Sequence, residues 1–210
     1  TALHPSGAVK CEVRNPPRGG FFYGRAAAID LLHSWPSPRC REGFIPQTPH
    51  DSPMKTLTFA ALDALTQQAE QSPRARMNQN LHESLDDPIQ RLAIAMEPAT
   101  YIRPHLHRYT WELLTALRGR FVVLTFDEAG VVTDRKLLGE DTSVTETAQG
   151  VFHTVLSLDP GAVIFEVKHG PYRPFVESDY ASWSAPADTP EAAAFMAWVK
   201  TAQVGDRWAA

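Results

Sequence analysis

The sequence predicts a mainly β domain, a small β-barrel or sandwich, with one α-helix at each end. Three observations support this prediction. Apolar and polar residues alternate in short runs between residues 91 and 168, with the two-residue period of β-strands. Turns that contain glycine or proline separate these runs. Two segments with helical periodicity, residues 59–71 and 190–202, lie on either side of them.

The first helix is predicted over residues 59–71. Its apolar residues recur at the spacing of one helix face and are Phe59, Leu62, Leu65 and Ala69. Thr58 suits the N-cap, and Ser72-Pro73 ends the helix. The polar stretch 74–87 has no clear period, so we expect a loop there.

Strands are predicted where the period shortens to two residues. They cover residues 91–97, 101–107, 111–117, 121–127, 154–158 and 163–168. The turns between them include Arg118-Gly119 and Asp159-Pro160-Gly161, which favour an antiparallel meander. The second helix is predicted to begin after Thr189, with Pro190 in its first turn and Phe195, Trp198 and Val199 on its buried face.

The chain divides into four predicted regions. Residues 1–53 hold 8 of the 17 prolines and 5 of the 12 glycines, so we expect an extension that is disordered or not native to the domain, the alternative being a genuine extension draped on it. Residues 54–90 form the helix and a polar lead-in, residues 91–185 the barrel, and residues 186–210 the second helix and a tail.

Composition excludes several classes of function. No stretch reaches the roughly 20 apolar residues of a membrane span, and the short apolar patch at residues 26–32 is interrupted by charge, which predicts a cytoplasmic protein. Twenty basic and 24 acidic residues give a net charge of −4, which disfavours nucleic-acid binding. Cys11 and Cys40 are too few for a disulfide framework or a cysteine zinc site.

Histidines and a glutamate in the segment 105–112 indicate metal ligands. On a strand, side chains two residues apart share a face, so the imidazoles of His105 and His107 would lie side by side. A turn at 108–110 would return Glu112 to them, and His153 is the candidate third imidazole. Such a set suits one divalent transition ion, Fe, Mn, Ni, Cu or Zn, with coordination positions left open. The alternative is a buried hydrogen-bonded cluster, which would repel or stay unsatisfied without a cation.

The spacing of these residues resembles the two motifs of the cupin superfamily. His105-x-His107, Glu112 and Gly119 match the first motif, and Gly150-x-x-His153 matches the centre of the second. The segments 80–82, 87–91, 101–107 and 166–172 are similar to the WbuC-type cupin-fold metalloproteins found with bacterial polysaccharide genes. The resemblance implies a double-stranded β-helix fold, a bound metal, a homodimer and a link to surface-sugar synthesis.

Further residues of the pocket are predicted from strand faces and from polar segments. His82 and Glu166 are candidates for moving a proton. The predicted substrate-binding residues are Tyr101, Arg103, Gln90, Arg91, Lys168 and Tyr172. Each has a structural alternative, such as a solvated loop histidine for His82, a surface arginine for Arg103 or a core tyrosine for Tyr101.

The expected function is a metal-dependent protein that acts on a small polar molecule. A sugar or sugar nucleotide is favoured through the resemblance alone, and isomerisation or epimerisation fits the residues. Dioxygenase chemistry at iron fits the same ligands. A non-enzymatic binding or structural metalloprotein and a metal-free epimerase-like barrel are the remaining alternatives. The expected partners are a small-molecule ligand and a second copy of the chain, without nucleic acid or membrane.

Overall fold

Eight strands and two α-helices build residues 54–209, the part of the chain that the computed structural model describes. In chain order they are α1 Phe59–Gln71, β1 Arg76–Asn80, β2 Ile89–Met96, β3 Glu112–Arg118, β4 Phe121–Phe126, β5 Val132–Leu138, β6 Val144–Thr147, β7 Phe152–Ser157, β8 Ala162–His169 and α2 Pro190–Val199. A short 3-10 helix, Glu177–Asp179, lies between β8 and α2. The predicted extension, residues 1–53, falls outside the described residues.

The strands form two antiparallel sheets. One has the order β1-β2-β8-β3-β6, and the other has the order β5-β4-β7. The predicted class, mainly β with flanking helices, is confirmed. The predicted meander is wrong, because β8 lies between β2 and β3 and because β4 pairs with β7. The turn at Gly119 reverses the chain between strands of different sheets, since a turn residue specifies a reversal and not a partner. Within the described residues the two sheets do not join into one closed barrel.

The main core lies between the two sheets. It combines side chains from both: Met96, Leu114, Phe121, Val123, Leu138, Val155, Ala162 and Ile164. Alternate residues of the strands point to the outer faces, as the pleat of a strand requires. The sheets therefore form a sandwich whose outer faces need their own cover.

The two helices cover those outer faces. Leu62, Leu65 and Ala69 of α1 pack on the five-stranded sheet, and Phe195 and Val199 of α2 pack on the three-stranded sheet. The side chains of Thr58 and Thr189 accept hydrogen bonds from Ala61 N and Ala192 N, so that both helices begin at hydroxyl caps.

The helix predictions hold in outline with two differences. Phe59 was expected on the buried face of α1, but it is 80% exposed and its ring lies beside the Arg118 guanidinium. The second helix ends at Val199 and not near residue 202. None of the helices in residues 54–209 is both long and apolar enough to cross a membrane.

Two predicted segments change their structure. The stretch 74–87, expected as a loop, contains β1, an edge strand whose polar side chains hide its pairing with β2. Residues 101–107, expected as a strand, are extended but make ladder contacts only at His105, which bridges to His153 and Tyr180. Pro104 in this segment lacks the N–H that a continuous ladder needs.

Candidate metal centre

Four side chains meet at one end of the sandwich. His105 and His107 come from the extended segment that precedes β3, Glu112 is the first residue of β3, and His153 is the second residue of β7. Each offers one ligand atom, and these atoms lie within 4.8 Å of one another. Because β3 and β7 belong to different sheets, the cluster joins the two sheets at this end.

Hydrogen bonds fix the orientation of the rings. The Nδ1 atoms of His105 and His153 lie 2.9 Å from Arg103 O and 3.0 Å from Val151 O. A backbone carbonyl only accepts, so both Nδ1 atoms carry hydrogen and both Nε2 atoms are left for the centre. Backbone pairing between His105 and His153 holds the two residues at this spacing.

The carboxylate of Glu112 lies between two imidazoles. Its Oε1 is 3.0 Å from His107 Nε2, and its Oε2 is 3.1 Å from His153 Nε2. Both ring nitrogens of His153 therefore face acceptors, while a neutral imidazole has only one N–H. With Glu112 ionised, either His153 is an imidazolium or its Nε2 and the carboxylate share a cation.

Burial and charge set the protonation of the cluster. Burial alone would raise the pKa of Glu112, but hydrogen bonds from His107 and His153 and the Lys168 charge hold that pKa well below its usual value. Burial and the neighbouring His153 lower the pKa of His105, which keeps this imidazole neutral. Burial also acts to lower the pKa of His153, but the bond to Glu112 raises it.

The donor set fits a divalent transition metal. Three imidazole nitrogens and one carboxylate oxygen are ligands for such ions, and the backbone acceptors on Nδ1 are the partners that orient ligating histidines. The ring of Phe175 packs 4.7 Å from that of His105 and 5.3 Å from that of His107, measured between ring centroids, which adds an apolar wall. These four residues can therefore bind one metal ion.

A cavity of about 490 Å³ adjoins the centre, and His105 and Glu112 are part of its wall. Polar side chains that also line it are Ser72, Arg74, Arg76, Asn78, Asn80, His82, Gln90, Glu166, Lys168 and Tyr172. Apolar side chains that line it include Leu92, Ile94, Met96, Ile102, Leu114, Val155 and Ile164. A small molecule in this space would contact the centre and both kinds of wall.

Glu166 and Lys168 form an ion pair in the cavity wall. Lys168 Nζ lies 2.6 Å from Glu166 Oε1 and 3.8 Å from Glu112 Oε1. Burial and the negative charge of Glu112 raise the pKa of Glu166. Burial acts to lower the pKa of Lys168, but its two carboxylate neighbours raise it. The pair thus places a carboxyl group with an altered proton affinity beside the centre.

His82 presents an unpartnered ring nitrogen to the cavity. Its Nδ1 lies 2.9 Å from Arg91 N and 3.0 Å from Arg91 O, which holds the ring in place. Its Nε2 is buried and has no hydrogen-bond partner within residues 54–209. A buried polar atom of this kind is costly unless a ligand or water bonds to it.

Two more of the predicted residues line the cavity. The Gln90 Nε2 group donates to Asp87 O at 2.8 Å, which anchors the side chain. Gly170 allows this arrangement, because a Cβ there would overlap Asp87 O and lie 2.9 Å from Gln90 Nε2. Tyr172 is 47% exposed and lies at the cavity's solvent side.

Three predicted substrate-binding residues do not line this cavity. Arg103 pairs with Glu177 and donates to Ser184, and the Tyr101 hydroxyl donates to Ala185 O at 2.8 Å. Both predictions assumed strand alternation through residues 101–107, which the structure lacks. Arg91 pairs with Asp87 at 2.9 Å; it lies on the opposite face of β2 from Gln90.

Sequence reasoning missed the contribution of β1 and of Phe175. Arg76, Asn78 and Asn80 recur every second residue and line the cavity, a spacing that is typical of one face of a strand. Because the whole segment is polar, its composition favoured a loop instead. Phe175 lies in a segment without periodicity, and no pattern in the sequence connects it to the histidines.

Comparisons with known proteins give a match to one family model of undefined function and matches to solved structures of low sequence identity. A family model described as "Domain of unknown function (DUF6016)" matches residues 57–138, less than half of the chain, which include His105, His107 and Glu112. The search of curated protein sequences gives no match.

Three of the solved structures similar to this chain show how low the sequence identity and the TM-score are. KdgF from Halomonas sp. is 16% identical, with 49% of this chain and 84% of that chain covered and a TM-score of 0.37. TT1209 from Thermus thermophilus is 18% identical, with 47% and 86% covered and a TM-score of 0.39. BH2720 from Bacillus halodurans is 13% identical, with 59% and 87% covered and a TM-score of 0.42. We transfer no function from similarities of this size.

Proposed function

We propose that the protein binds one divalent transition-metal ion through His105, His107, Glu112 and His153 and transforms a small molecule in the adjoining cavity. The observation that carries this proposal is the conflict at His153, whose two ring nitrogens both face acceptors in a site where the residue is 1% exposed. A metal ion held by His153 and Glu112 would remove the conflict without an imidazolium. The neutral imidazole of His105 completes the support, since only an unprotonated nitrogen can coordinate.

The residues around the centre supply acid–base chemistry. A bound divalent ion would supply Lewis acidity toward an oxygen of the ligand. Glu166, with its raised pKa, exchanges a proton with a ligand carbon or oxygen, and Lys168 holds the carboxyl group in place. His82 forms a hydrogen bond to the ligand through its unpartnered Nε2. These roles fit a proton-transfer reaction such as isomerisation or epimerisation, and the resemblance to WbuC-type proteins supports surface-sugar synthesis as its context.

Substitution of Glu166 tests the enzymatic part of the proposal. Metal-loaded protein is incubated with a panel of small acids and sugars, and mass spectrometry and proton–deuterium exchange follow each compound. We expect the wild type to transform or exchange at least one compound, and Glu166→Gln to do so at least about a hundredfold more slowly with unchanged metal content.

A matched substitution and two outcomes make the test decisive. Glu146→Gln, in the edge strand β6 outside the cavity, should keep the wild-type rate. Turnover by Glu166→Gln at the wild-type rate would exclude the assigned proton transfer. A panel compound that binds without any exchange or turnover would favour the alternative of a non-enzymatic binding protein.

A further inference from the structure

Two arginines in the cavity wall have no acidic partner. Within residues 54–209, no carboxylate lies at ion-pair distance from Arg74 or Arg76, and neither guanidinium makes a hydrogen bond. Five other arginines of the same region pair with carboxylates, namely Arg91, Arg103, Arg108, Arg118 and Arg120. Three more have other partners: Arg135 and Arg207 donate to backbone carbonyls, and Arg173 lies over the Tyr109 ring. Burial and the adjacent Arg74 charge lower the pKa of Arg76, and Tyr180 and Glu166 offset this only in part. The arginine pair therefore has no directly bonded counter-charge within residues 54–209.

The strand register places this pair at the other end of the cavity from the metal centre. Glu112 is opposite Lys168, and Lys168 is opposite Gln90. Arg76 is opposite Met96, six residues along β2 from Gln90. Six residues of a strand span about 20 Å between Cα atoms. The Arg76 side chain shortens this separation, since its guanidinium is near enough to Glu166 for that carboxylate to act on its pKa. A ligand that contacts both the arginines and the centre spans only part of this length.

The charges of the wall favour an anion. Three basic side chains, Arg74, Arg76 and Lys168, line the cavity with two acidic ones, Glu112 and Glu166. The wall has an excess of one positive charge, and a divalent ion at the centre would increase this excess to three. An anionic ligand would compensate it, and an arginine pair suits a carboxylate or a phosphate.

The middle of the cavity has apolar and polar walls. Leu92 and Ile94 of β2, Ile164 of β8 and Leu114 of β3 supply apolar surface on the cavity side of the sheet. Asn80 and Asn78 of β1 are opposite Leu92 and Ile94 and also line the cavity. The body of a ligand in this space would bury apolar surface on one side and meet side-chain amides on the other.

We propose that Arg74 and Arg76 form an anion subsite, and that the ligand is an organic acid that reaches from this subsite to the metal centre. For the end of the ligand at the metal centre, whose oxygen atoms would bind the metal ion, this inference rests on the proposed function. For the end at the arginines, it rests on the strand register, the charges of the cavity wall and the unpartnered guanidinium groups. The acid group at the arginine end is a carboxylate or a phosphate monoester.

Calorimetric titration with four probes tests this inference. Octanoate and octyl phosphate carry one anionic end and an apolar body, suberate adds a second carboxylate, and glucuronate is an acid with a polar body. We expect octanoate or octyl phosphate to bind, and the tighter of the two identifies the acid group. The comparison of octanoate with glucuronate identifies whether the body of the ligand is apolar or polar. Suberate should bind metal-loaded protein at least about tenfold more tightly than octanoate does.

Arginine variants separate this inference from the metal proposal. Arg76→Gln and the double variant Arg74→Gln/Arg76→Gln should weaken octanoate binding at least about tenfold, in both metal-loaded and chelator-treated protein. Arg207→Gln, which removes an exposed arginine outside the cavity, should bind as the wild type does. Equal binding of octanoate by Arg76→Gln and the wild type, or the absence of binding by all four probes, would overturn the inference. If the arginine variants behave as expected but suberate binds metal-loaded protein no more tightly than octanoate does, the result would instead contradict the metal centre.

Discussion

At the scale of single residues, protonation of the histidines decides the behaviour of the centre. The folded-state pKa of His153 is raised by Glu112, while that of His105 is lowered by burial. A raised pKa stabilises the metal-free fold at low pH and loses this contribution as pH rises, and a lowered histidine pKa does the reverse. The two histidines therefore pull the stability of the metal-free protein in opposite directions on either side of the unfolded histidine pKa.

This opposition predicts a stability maximum for the metal-free protein. Below about pH 6.5 His105 binds a proton in the unfolded chain but not in the folded protein, so folding loses favourable free energy as pH falls. Above about pH 6.5 His153 keeps its proton in the folded protein but not in the unfolded chain, so folding loses favourable free energy as pH rises. The contribution of the two histidines to the melting temperature of chelator-treated protein should therefore be largest at about pH 6.5, while Glu166, whose pKa is raised, adds a separate contribution that is lost as pH rises. With saturating Zn²⁺ the melting temperature should rise further above that pH, because metal and protons compete for the same nitrogens.

A control variant tests the cause of the decline. His153→Gln keeps a polar side chain but cannot ionise, so its chelator-treated form should lose the histidine's part of the decline of melting temperature at high pH. A metal-free wild type whose melting temperature increases steadily to pH 8 would contradict the assigned pKa directions.

Residue spacing revealed the centre but not the whole cavity. The His105-x-His107 pair, Glu112 and His153 are recognisable from the sequence because their spacing fits two facing strands. Arg103 and Tyr101 could not be placed, since their predicted direction depended on a strand that Pro104 interrupts. Arg76 could not be recognised as a cavity residue, because a polar edge strand has the composition of a loop.

At the scale of elements, α1 stabilises the fold from the side opposite the cavity. Its buried residues pack on Ala93, Ala95 and Val163, whereas the neighbouring residues of β2 and β8 face the cavity. Helix α1 and the site therefore share a sheet but not a surface. The helix was predictable from its periodicity and cap, and the sheet order was not, because β8 joins β2 across more than 60 residues of chain.

The position of α1 predicts that its core can be weakened without loss of the site. Leu65 is 3% exposed, so Leu65→Ala should lower the free energy of unfolding by about 2–5 kcal/mol. Metal content should remain that of the wild type. Phe59→Ala, in the same helix but at an exposed position, should change the free energy of unfolding by less than about 1 kcal/mol. Chemical denaturation and elemental analysis measure both quantities, and loss of metal from Leu65→Ala would show that α1 supports the centre after all.

At the scale of the whole molecule, the centre links two sheets that otherwise meet through apolar packing. Glu112 belongs to the five-stranded sheet and His153 to the three-stranded one, and the ends of the sheets near Phe121 and Leu138 are filled by core side chains. A cation at the open end would thus add a polar link opposite the apolar one, and its binding would stabilise the folded state by mass action. Dimerisation, which the family resemblance implies, stays a prediction.

The most direct measurement is the metal content of protein purified without chelator and then offered Zn²⁺ or Fe²⁺. Elemental analysis should find about one transition-metal ion per wild-type chain, and less than about a tenth of that in His153→Ala. His169→Ala, which removes an exposed histidine beside Trp111, should keep the full content. A wild type that retains no ion, or a His153→Ala variant that retains as much as the wild type, would contradict the metal centre.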